Sequence, residues 1–498
     1  MNQPNILMIM TDQQRWDSLG CYGNEGVHSP NLDRLSREGV RFDGCYVNNT
    51  ICTPSRASIL TGKPLPGHGV YKLHDVMPRD QVLFPEHLQR LGYTTALFGK
   101  LHVSGRVEEA ERRHPHDGFD VYEYCLDPAG LHFDSPYNAY AAWLRRQDPE
   151  FYERVLKEGK KLEHFPAHLH FSHWAAEGVA DFIRAQAADN SKPFFCKRSF
   201  FDPHDPYLDY PEELASQVKE ELLPPVQKSY EGTHPVPEGV RRERERPLQP
   251  RGEKAEERLK KLRTGYFASI AFIDQQVGKV LETLEDRGLR DNTMVIFVSD
   301  HGDMLGDKQL MTKGAYFYEP TVRVPFIIRY PGVIEQEKVC RDLVQPHDIA
   351  ATVLGAAGMS KEETDRLMPH SMDLISLLSE GEDYEKYRDY AVSTYRNTGY
   401  GPGGVYFDPP LHCSMFRDRR YKLCLYHHVD MPDRAPEGEL YDMEEDPGET
   451  RNLWRKAEYV EIKMKLMNRL TDWLIAMNAA YVGTRGGERL AQNTTVIK

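Results

Sequence analysis

Four short apolar runs in this chain are each followed by ionisable residues. The runs, with the polar residues that follow them, are 6–10 with Asp12, 93–98 with Lys100 and His102, 193–201 with Asp202 and His204, and 293–299 with Asp300 and His301. A run of this length and apolar character predicts a buried strand of a parallel sheet. Because ligands bind outside the carboxyl ends of such strands, the four polar ends predict one shared site.

Helical stretches lie between these runs, at residues 29–38, 84–91 and, as a long amphipathic pattern, about 256–287. The alternation of strands and helices predicts an α/β fold with α/β/α layers. Two long segments, 135–173 and 211–254, interrupt the alternation. We expect them to be insertions that form lids or oligomer contacts.

The pattern changes near residue 380, where a charged stretch precedes a new series of strand-like runs. We therefore expect a large α/β domain over residues 1–380 and a smaller α+β domain over 381–498. Strands are predicted in the second domain at 390–395, 412–416 and 421–426, and a helix from about 459 to 476. The tail after Gly483 has no apolar period and is expected to be an extended arm or partly disordered.

Composition narrows the classes of function. The chain has 498 residues and a formal net charge of −13, so its overall field does not attract nucleic acid or an anionic membrane. An anionic substrate must therefore be held by local cations. The eight cysteines show no CxxC spacing, which argues against a disulfide scaffold and a zinc cluster. Because the first apolar run is shorter than that of a signal peptide, and no run is long enough to cross a bilayer, we expect a cytoplasmic protein.

The most informative stretch is CTPSRASILTG, which begins at Cys52. A cysteine followed by Pro54, Arg56 and small residues predicts a helix that begins near Cys52, with Arg56 one turn along the same face. The amides at a helix N-terminus and an arginine side chain both favour a tetrahedral oxyanion group. On this spacing alone, a buried structural cysteine before a capped helix fits the stretch equally well.

CTPSRASILTG resembles the signature of the sulfatase family, within the alkaline-phosphatase-like superfamily. Further landmarks of that family recur in order, and they are Asp12, GKLH at 99–102, PH at 203–204, SDHGDMLGD at 299–307, Lys313 and ELYDMEEDPGETRNL at 439–453. The resemblance implies a large catalytic α/β/α sandwich with a small antiparallel domain packed on it. It also implies a sulfuric ester hydrolase that cleaves a sulfate monoester into an alcohol and inorganic sulfate.

The same resemblance implies a nucleophile and a metal site. In the family the signature cysteine, here Cys52, is oxidised after translation to formylglycine by a formylglycine-generating enzyme. One hydroxyl of the hydrated aldehyde attacks sulfur, and the second then expels sulfate. One divalent cation is implied, calcium in first place, with magnesium or manganese as alternatives. Its ligands would be Asp12, Gln13, Asp300 and either His301 or an oxygen of converted Cys52.

Proton transfer and sulfate binding are also assigned by resemblance. His102 would be the base that takes the proton of the second hydroxyl, or would support that base, and His204 would be the general acid for the leaving oxygen. The division of roles between these two histidines stays open. Lys100, Lys313 and Arg56 would clamp the sulfate oxygens.

Two residues depart from the commonest arylsulfatase pattern. Gln13 stands where many members have a second aspartate, and His301 stands where they have asparagine. This pair resembles choline sulfatase and the phosphonate monoester hydrolases. Lys100 and His102 nevertheless favour a sulfate monoester, because the phosphonate enzymes carry uncharged hydroxyl residues at those positions. A phosphonate monoester or phosphodiester hydrolase stays the alternative enzyme, and a catalytically silent anion-binding homologue is the alternative of another class.

The substrate itself has no readable pattern in the sequence. The substrate can be a sulfated sugar, an aryl sulfate or a small alkyl ester, because the sequence of pocket-forming insertions does not indicate which substrate they bind. Without a leader, the enzyme is expected to meet small sulfated molecules rather than intact polysaccharide. The long insertions and the terminal arm favour a homodimer or homotetramer.

Overall fold

The computed structural model describes residues 3–130, 132–189, 191–227, 236–245, 250–398, 407–408, 410–428 and 437–490. Its strands are β1 (Asn5–Thr11), β2 (Val40–Phe42), β3 (Thr94–Gly99), β4 (Val121–Tyr124), β5 (Phe194–Ser199), β6 (Thr293–Ser299), β7 (Phe326–Arg329), β8 (Lys338–Cys340), β9 (Ala391–Arg396), β10 (Leu411–Arg417), β11 (Tyr421–His428) and β12 (Glu437–Asp442). Its helices are α1 (Pro30–Arg37), α2 (Cys52–Thr61), α3 (Leu65–His68), α4 (Phe84–Arg90), α5 (Arg106–Glu111), α6 (Ala139–Gln147), α7 (Pro149–Glu158), α8 (Phe171–Asp189), α9 (Glu238–Arg244), α10 (Ala255–Asp286), α11 (Glu319–Val322), α12 (Asp348–Ala356), α13 (Lys361–Leu367), α14 (Leu374–Glu380) and α15 (Val460–Leu490).

Eight strands form one large sheet, in the order β4-β3-β5-β1-β6-β7-β2-β8. β1 lies in the middle and runs parallel to β5 on one side and to β6 on the other. β7 is antiparallel to both of its neighbours, β6 and β2, whereas the other neighbouring pairs are parallel. Every residue of β1 is buried, which explains why the strand is a continuous apolar run in the sequence.

Helices cover both faces of this sheet. Alternate residues of β1 point to opposite faces, because side chains alternate along a strand. Ile6 and Met8 join an apolar cluster with residues of α2, α4 and α12. Leu7 and Ile9 join a second cluster with residues of α1, α8 and α10. The predicted α/β class, with its α/β/α layers, is confirmed.

The two segments expected to be insertions differ in how much of them is described. Residues 135–173 form α6, α7 and the beginning of α8, and they contribute buried aromatic side chains to the second cluster. Tyr140, for example, packs edge-on against Phe171, with ring centroids 5.7 Å apart. Residues 211–254 lie partly outside the described residues, and their described part includes α9. The roles of both as lids or oligomer contacts, and the domain boundary at 380, stay predictions.

A four-stranded antiparallel sheet, in the order β12-β11-β10-β9, forms the C-terminal part of the fold. α15 packs on this sheet, because Leu466 and Leu470 share an apolar cluster with Val392, Phe416 and Leu423. This arrangement confirms the smaller α+β unit with antiparallel strands. The strand β12 overlaps the beginning of the ELYDMEEDPGETRNL landmark and was not predicted as a strand.

The expectation of an extended arm after Gly483 is wrong as far as Leu490, because α15 continues to that residue. Starting a helix is costly, whereas each further residue is added at little cost to a helix that already exists. The apolar contacts of the first half of α15 therefore allow a polar sequence to continue as helix. Residues 491–498, the rest of the expected arm, lie outside the described residues.

Two general expectations can be compared with the described residues. All eight cysteines fall within them, and all eight are free thiols, so the protein folds without a disulfide framework. None of the helices in the described ranges combines the length and the apolar character that crossing a membrane requires.

Candidate active site

The carboxyl ends of β1, β3, β5 and β6 meet at one edge of the large sheet. β1 and β6 are in register up to their last residues, Thr11 and Ser299, and β3 and β5 also end in register. The polar residues that follow these strands are therefore neighbours. Lys100 Nζ, after β3, donates a hydrogen bond to Asp12 Oδ2, after β1, at 2.6 Å. Both side chains are buried.

The helix α2 brings Cys52 to the same edge. Cys52 is its first residue, follows Ile51 in extended backbone, and is buried together with the rest of the helix. Its sulfur lies within 4.8 Å of ligand atoms of Asp12 and His204. A cysteine at the start of a helix, beside polar groups from two strand ends, is placed for chemistry rather than for apolar packing.

Positive side chains control the ionisation of this thiol. Burial by itself raises the pKa of Cys52, but Lys313, followed by Lys100, outweighs burial and lowers the pKa well below its ordinary value. Both lysines are themselves about 1% exposed, so their charges act through a medium of low polarity. The site therefore favours an anionic group at position 52.

Arg56, one turn further along α2, makes four hydrogen bonds to protein groups. Its Nε donates to Asp300 Oδ2 at 2.6 Å, and its Nη2 donates to Asp12 Oδ2 at 3.0 Å. Its Nη1 donates to the Lys100 carbonyl oxygen and to Ser199 Oγ. A buried guanidinium needs such partners, and these contacts fix the two carboxylates rather than leaving the guanidinium directed into open space.

Asp12, Asp300 and His301 form a compact set of possible metal ligands. Ligand atoms of all three lie within 4.8 Å of one another, and all three side chains are fully buried. Asp12 Oδ1 and His301 Nε2 have no hydrogen-bond partner among the described residues. His301 Nδ1 lies 3.0 Å from the Gly302 carbonyl oxygen, to which it can only donate, so in the neutral ring Nε2 carries the lone pair. Two carboxylates and an imidazole, with an unsatisfied atom on Asp12 and another on His301, fit a divalent cation.

The side chain of Gln13 is oriented by two residues from distant parts of the chain. Its Nε2 donates to Asp303 Oδ2 at 2.6 Å and to Tyr207 Oη at 3.0 Å. Its Oε1 therefore faces the opposite direction, where it accepts a hydrogen bond from Lys313 Nζ. Gln13 has a φ of 69°, in the left-handed region, which a non-glycine residue adopts at a cost that other contacts must offset.

His102 lies beside Cys52 and is uncharged. Burial, followed by the effect of Lys100, lowers the pKa of His102 to about 3. Its Nε2 lies 3.1 Å from Thr53 Oγ1, and its Nδ1 is buried with no hydrogen-bond partner among the described residues. The backbone amide of His102 donates to Glu109 Oε2 at 2.9 Å, so the loop that carries it is anchored to α5.

His204 lies next to Lys313. The His204 Nε2 atom is 2.8 Å from Lys313 Nζ, and Nδ1 is 2.8 Å from the Asp205 carbonyl oxygen. The ring stacks on Phe201, with centroids 4.7 Å apart and planes inclined by 28°. All the site residues expected from the sequence therefore lie in one buried cluster, with Arg56 turned toward the carboxylates.

Four residues that support the site were not predicted from the sequence. They are Ser199, Asp303, Tyr207 and Glu109. Asp303 lies inside the SDHGDMLGD landmark, so its place in the motif was a usable signal. The Glu109 carboxylate accepts hydrogen bonds from the backbone amides of His102, Val103 and Ser104 and from the Tyr124 hydroxyl. Nothing in the sequence distinguishes Glu109 from other helical glutamates, because its role depends on a loop folding back on it.

Comparisons with known proteins agree with this geometry. The family model for sulfatases matches residues 4–359, and the model described as the C-terminal region of N-sulphoglucosamine sulphohydrolase matches residues 306–475. An arylsulfatase of Clostridium perfringens is 31% identical over 471 residues, which cover 92% of each chain. A choline-sulfatase of Rhizobium meliloti is 28% identical over 465 residues, which cover 91% of this chain and 82% of the relative.

The architecture is also that of solved structures. The phosphonate monoester hydrolase of Agrobacterium radiobacter has a TM-score of 0.73 to this structure at 22% identity, with 96% of each chain covered. At that identity the likeness concerns the fold, and it is the alkaline-phosphatase-like fold that the motifs implied. The family match spans most of the chain, and the arylsulfatase relative covers nearly all of it. The chain therefore belongs to the sulfatase family and is a sulfuric ester hydrolase.

Proposed function

We propose that the enzyme cleaves a sulfate monoester into an alcohol and inorganic sulfate through a formylglycine made from Cys52. The observation that carries the proposal is the position of Cys52, buried among two lysines and the carboxylates that follow two neighbouring strands. Lys313 and Lys100 lower the pKa of its thiol against the effect of burial, so they would also attract the oxygens of a sulfate group there. Formylglycine, made by a formylglycine-generating enzyme, supplies two hydroxyls on one carbon, one as nucleophile and one to release sulfate.

One divalent cation would complete the site, with calcium as the first candidate and magnesium or manganese as alternatives. Asp12, Asp300 and His301 would hold it through atoms that already lie within 4.8 Å of one another. Gln13 Oε1 would be a further ligand, and an oxygen of converted Cys52 is the alternative to His301. A bound cation of this kind polarises the sulfate group and makes a coordinated hydroxyl more acidic.

Lys100 and Lys313 are the residues that we assign to the sulfate oxygens. Each is a buried ammonium that donates to a residue following β1, Lys100 to Asp12 and Lys313 to Gln13. For Arg56 we replace the expected clamp by a positioning role. Because four of its five N–H donors are taken by Asp300, Asp12 and two other oxygens, its contribution would be to keep the carboxylates in place for the cation.

We assign the two proton transfers to His102 and His204. His102 is neutral at ordinary pH, because burial followed by Lys100 lowers its pKa to about 3, so the ring can accept a proton from residue 52. His204 would donate a proton to the leaving oxygen from its place beside Lys313. The phosphonate monoester or phosphodiester activity stays the second candidate, favoured by the Gln13 and His301 pair and opposed by Lys100 and His102.

The test compares kcat/KM for 4-nitrophenyl sulfate, bis(4-nitrophenyl) phosphate and 4-nitrophenyl phenylphosphonate, in protein whose conversion at Cys52 is measured by intact mass. We expect the sulfate ester to be the best substrate and Cys52→Ala to abolish its turnover while the far-UV circular dichroism spectrum is kept. A much larger kcat/KM on the diester or the phosphonate would favour the second candidate. An unconverted Cys52 in protein from its native host would support the silent anion-binding homologue.

A further inference from the structure

Two cations share one buried carboxylate beside the proposed active site. Asp127, after β4, has a side chain that is 2% exposed, and its Oδ2 lies 2.9 Å from Lys160 Nζ. The same oxygen lies 3.8 Å from Arg106 Nη1, at the start of α5. One carboxylate balances one cation, so the group keeps one surplus positive charge.

The hydrogen-bonding capacity of Arg106 is largely unused. Its Nε atom is buried and has no hydrogen-bond partner among the residues that the structure describes. At 3.8 Å, its contact with Asp127 is longer than a hydrogen bond. A buried donor without a partner is costly in a folded protein, so Arg106 would gain from an acceptor group that arrives from outside.

Both cations can be reached by a solute. The Arg106 side chain is 23% exposed and the Lys160 side chain is 34% exposed, unlike the fully buried arginine Arg56. Asp127 attracts both cations, because its carboxyl is ionised. Burial opposes that ionisation, but Lys160, followed by Arg106, outweighs burial and lowers the pKa of Asp127.

Both cations are linked by contacts to residues that are proposed to act on the scissile sulfate. Glu109, one turn after Arg106 on α5, is bonded to the amides of His102 and Val103, at 2.9 and 2.7 Å, so Arg106 is fixed relative to His102. Lys160 Nζ and Lys100 Nζ lie 5.4 and 5.2 Å from the centroid of the same Phe201 ring.

We propose that Arg106 and Lys160 bind a second acidic group of the substrate, so that the substrate is a sulfate monoester whose alcohol also bears a carboxylate or another sulfate. The inference rests on the proposed function, because the second group is defined relative to the scissile sulfate. An arginine presents a planar fork that matches the oxygens of either group, and a lysine beside it adds a point charge. A cationic alcohol would meet like charge at this place and is disfavoured.

The test uses the purified, converted enzyme and matched aryl sulfates. The 2- and 3-carboxyphenyl sulfates are compared with their neutral carboxamides, and phenyl disulfates (1,2 and 1,3) serve as the second arm for a sulfate as the acidic group. We expect kcat/KM for at least one acidic compound to exceed that of its neutral counterpart about tenfold, the scale of a charged hydrogen bond. The preference should fall as ionic strength rises, because both cations are partly exposed.

Arg106→Gln and Lys160→Gln should each reduce this preference severalfold, chiefly through KM, whereas Lys157→Gln, an exposed lysine of α7, should keep it. Lys160→Gln keeps the test valid if Arg106→Gln fails to fold. The inference would be overturned if the wild type does not prefer the acidic aryl sulfates, or if both variants keep the preference unchanged. In either case, turnover of the aryl sulfates would still uphold the proposed function. Lack of turnover of every sulfate ester by converted protein would overturn both.

Discussion

Replacing Arg56 tests whether this residue positions the two carboxylates. Arg56 pairs with Asp300 at 2.6 Å and with Asp12 at 3.0 Å, and all three side chains are fully buried. Arg56→Gln removes the charge and leaves Asp300 without the guanidinium, whereas Asp12 keeps its bond to Lys100. Breaking a buried ion pair by removing one partner costs about 3–5 kcal/mol, so the free energy of unfolding in EDTA should fall by about that amount. Arg56→Lys keeps the charge, but a single ammonium group cannot contact both carboxylates as the guanidinium does. The decrease in its free energy of unfolding should therefore be intermediate.

Calcium should recover part of the loss, because a cation would neutralise the same carboxylates. A ligand present at about 100 times its dissociation constant adds about 2.7 kcal/mol to stability. Urea unfolding followed by circular dichroism, with EDTA and with calcium, measures both effects. Arg154→Gln is the control, since it breaks an exposed pair with Glu158 that contributes about 0–1 kcal/mol. The reasoning would be refuted if, in EDTA, the free energy of unfolding falls no more in Arg56→Gln than in the control variant.

Lys100→Ala should lower kcat/KM for 4-nitrophenyl sulfate about 100- to 1,000-fold, the loss that follows removal of one oxyanion donor. The exposed Lys279→Ala is its control, and equal rates for the two variants would contradict the clamp. Asp303→Asn should weaken calcium binding about tenfold in calorimetry, because its carboxylate orients the Gln13 amide; an unchanged affinity would contradict that orientation. His347→Gln should flatten the dependence of stability on pH. Burial lowers the pKa of His347 to about 4, so as pH falls from about 6.5 the unfolded chain takes up the proton first and the wild type loses stability down to about pH 4. Parallel stability curves for variant and wild type would be the contrary result.

The elements that the sequence predicted well are those whose pattern depends on burial alone. The run at 293–299 coincides with β6, and the amphipathic pattern at 256–287 differs from α10 by one residue at each end. A strand buried on both faces must be continuously apolar, and a helix buried on one face must repeat its apolar residues every turn. Short strands such as β2 and β8 have no such signal, because their pairing depends on neighbours that are distant in sequence.

The identity of the chemically active residues could likewise be read from local motifs, since each landmark combines a strand end with the side chains that follow it. What each side chain faces could not be read, because that depends on contacts across the sheet. Arg56 meets its carboxylates 44 and 244 positions away, and Gln13 is oriented by residues 194 and 290 positions away. The sequence by itself determined the fold class, the family and the set of polar residues at one edge. Only the tertiary structure decided which cations are engaged with buried carboxylates and which, like Arg106, keep an unpaired donor, because burial and pairing of a charge are properties of the assembled fold.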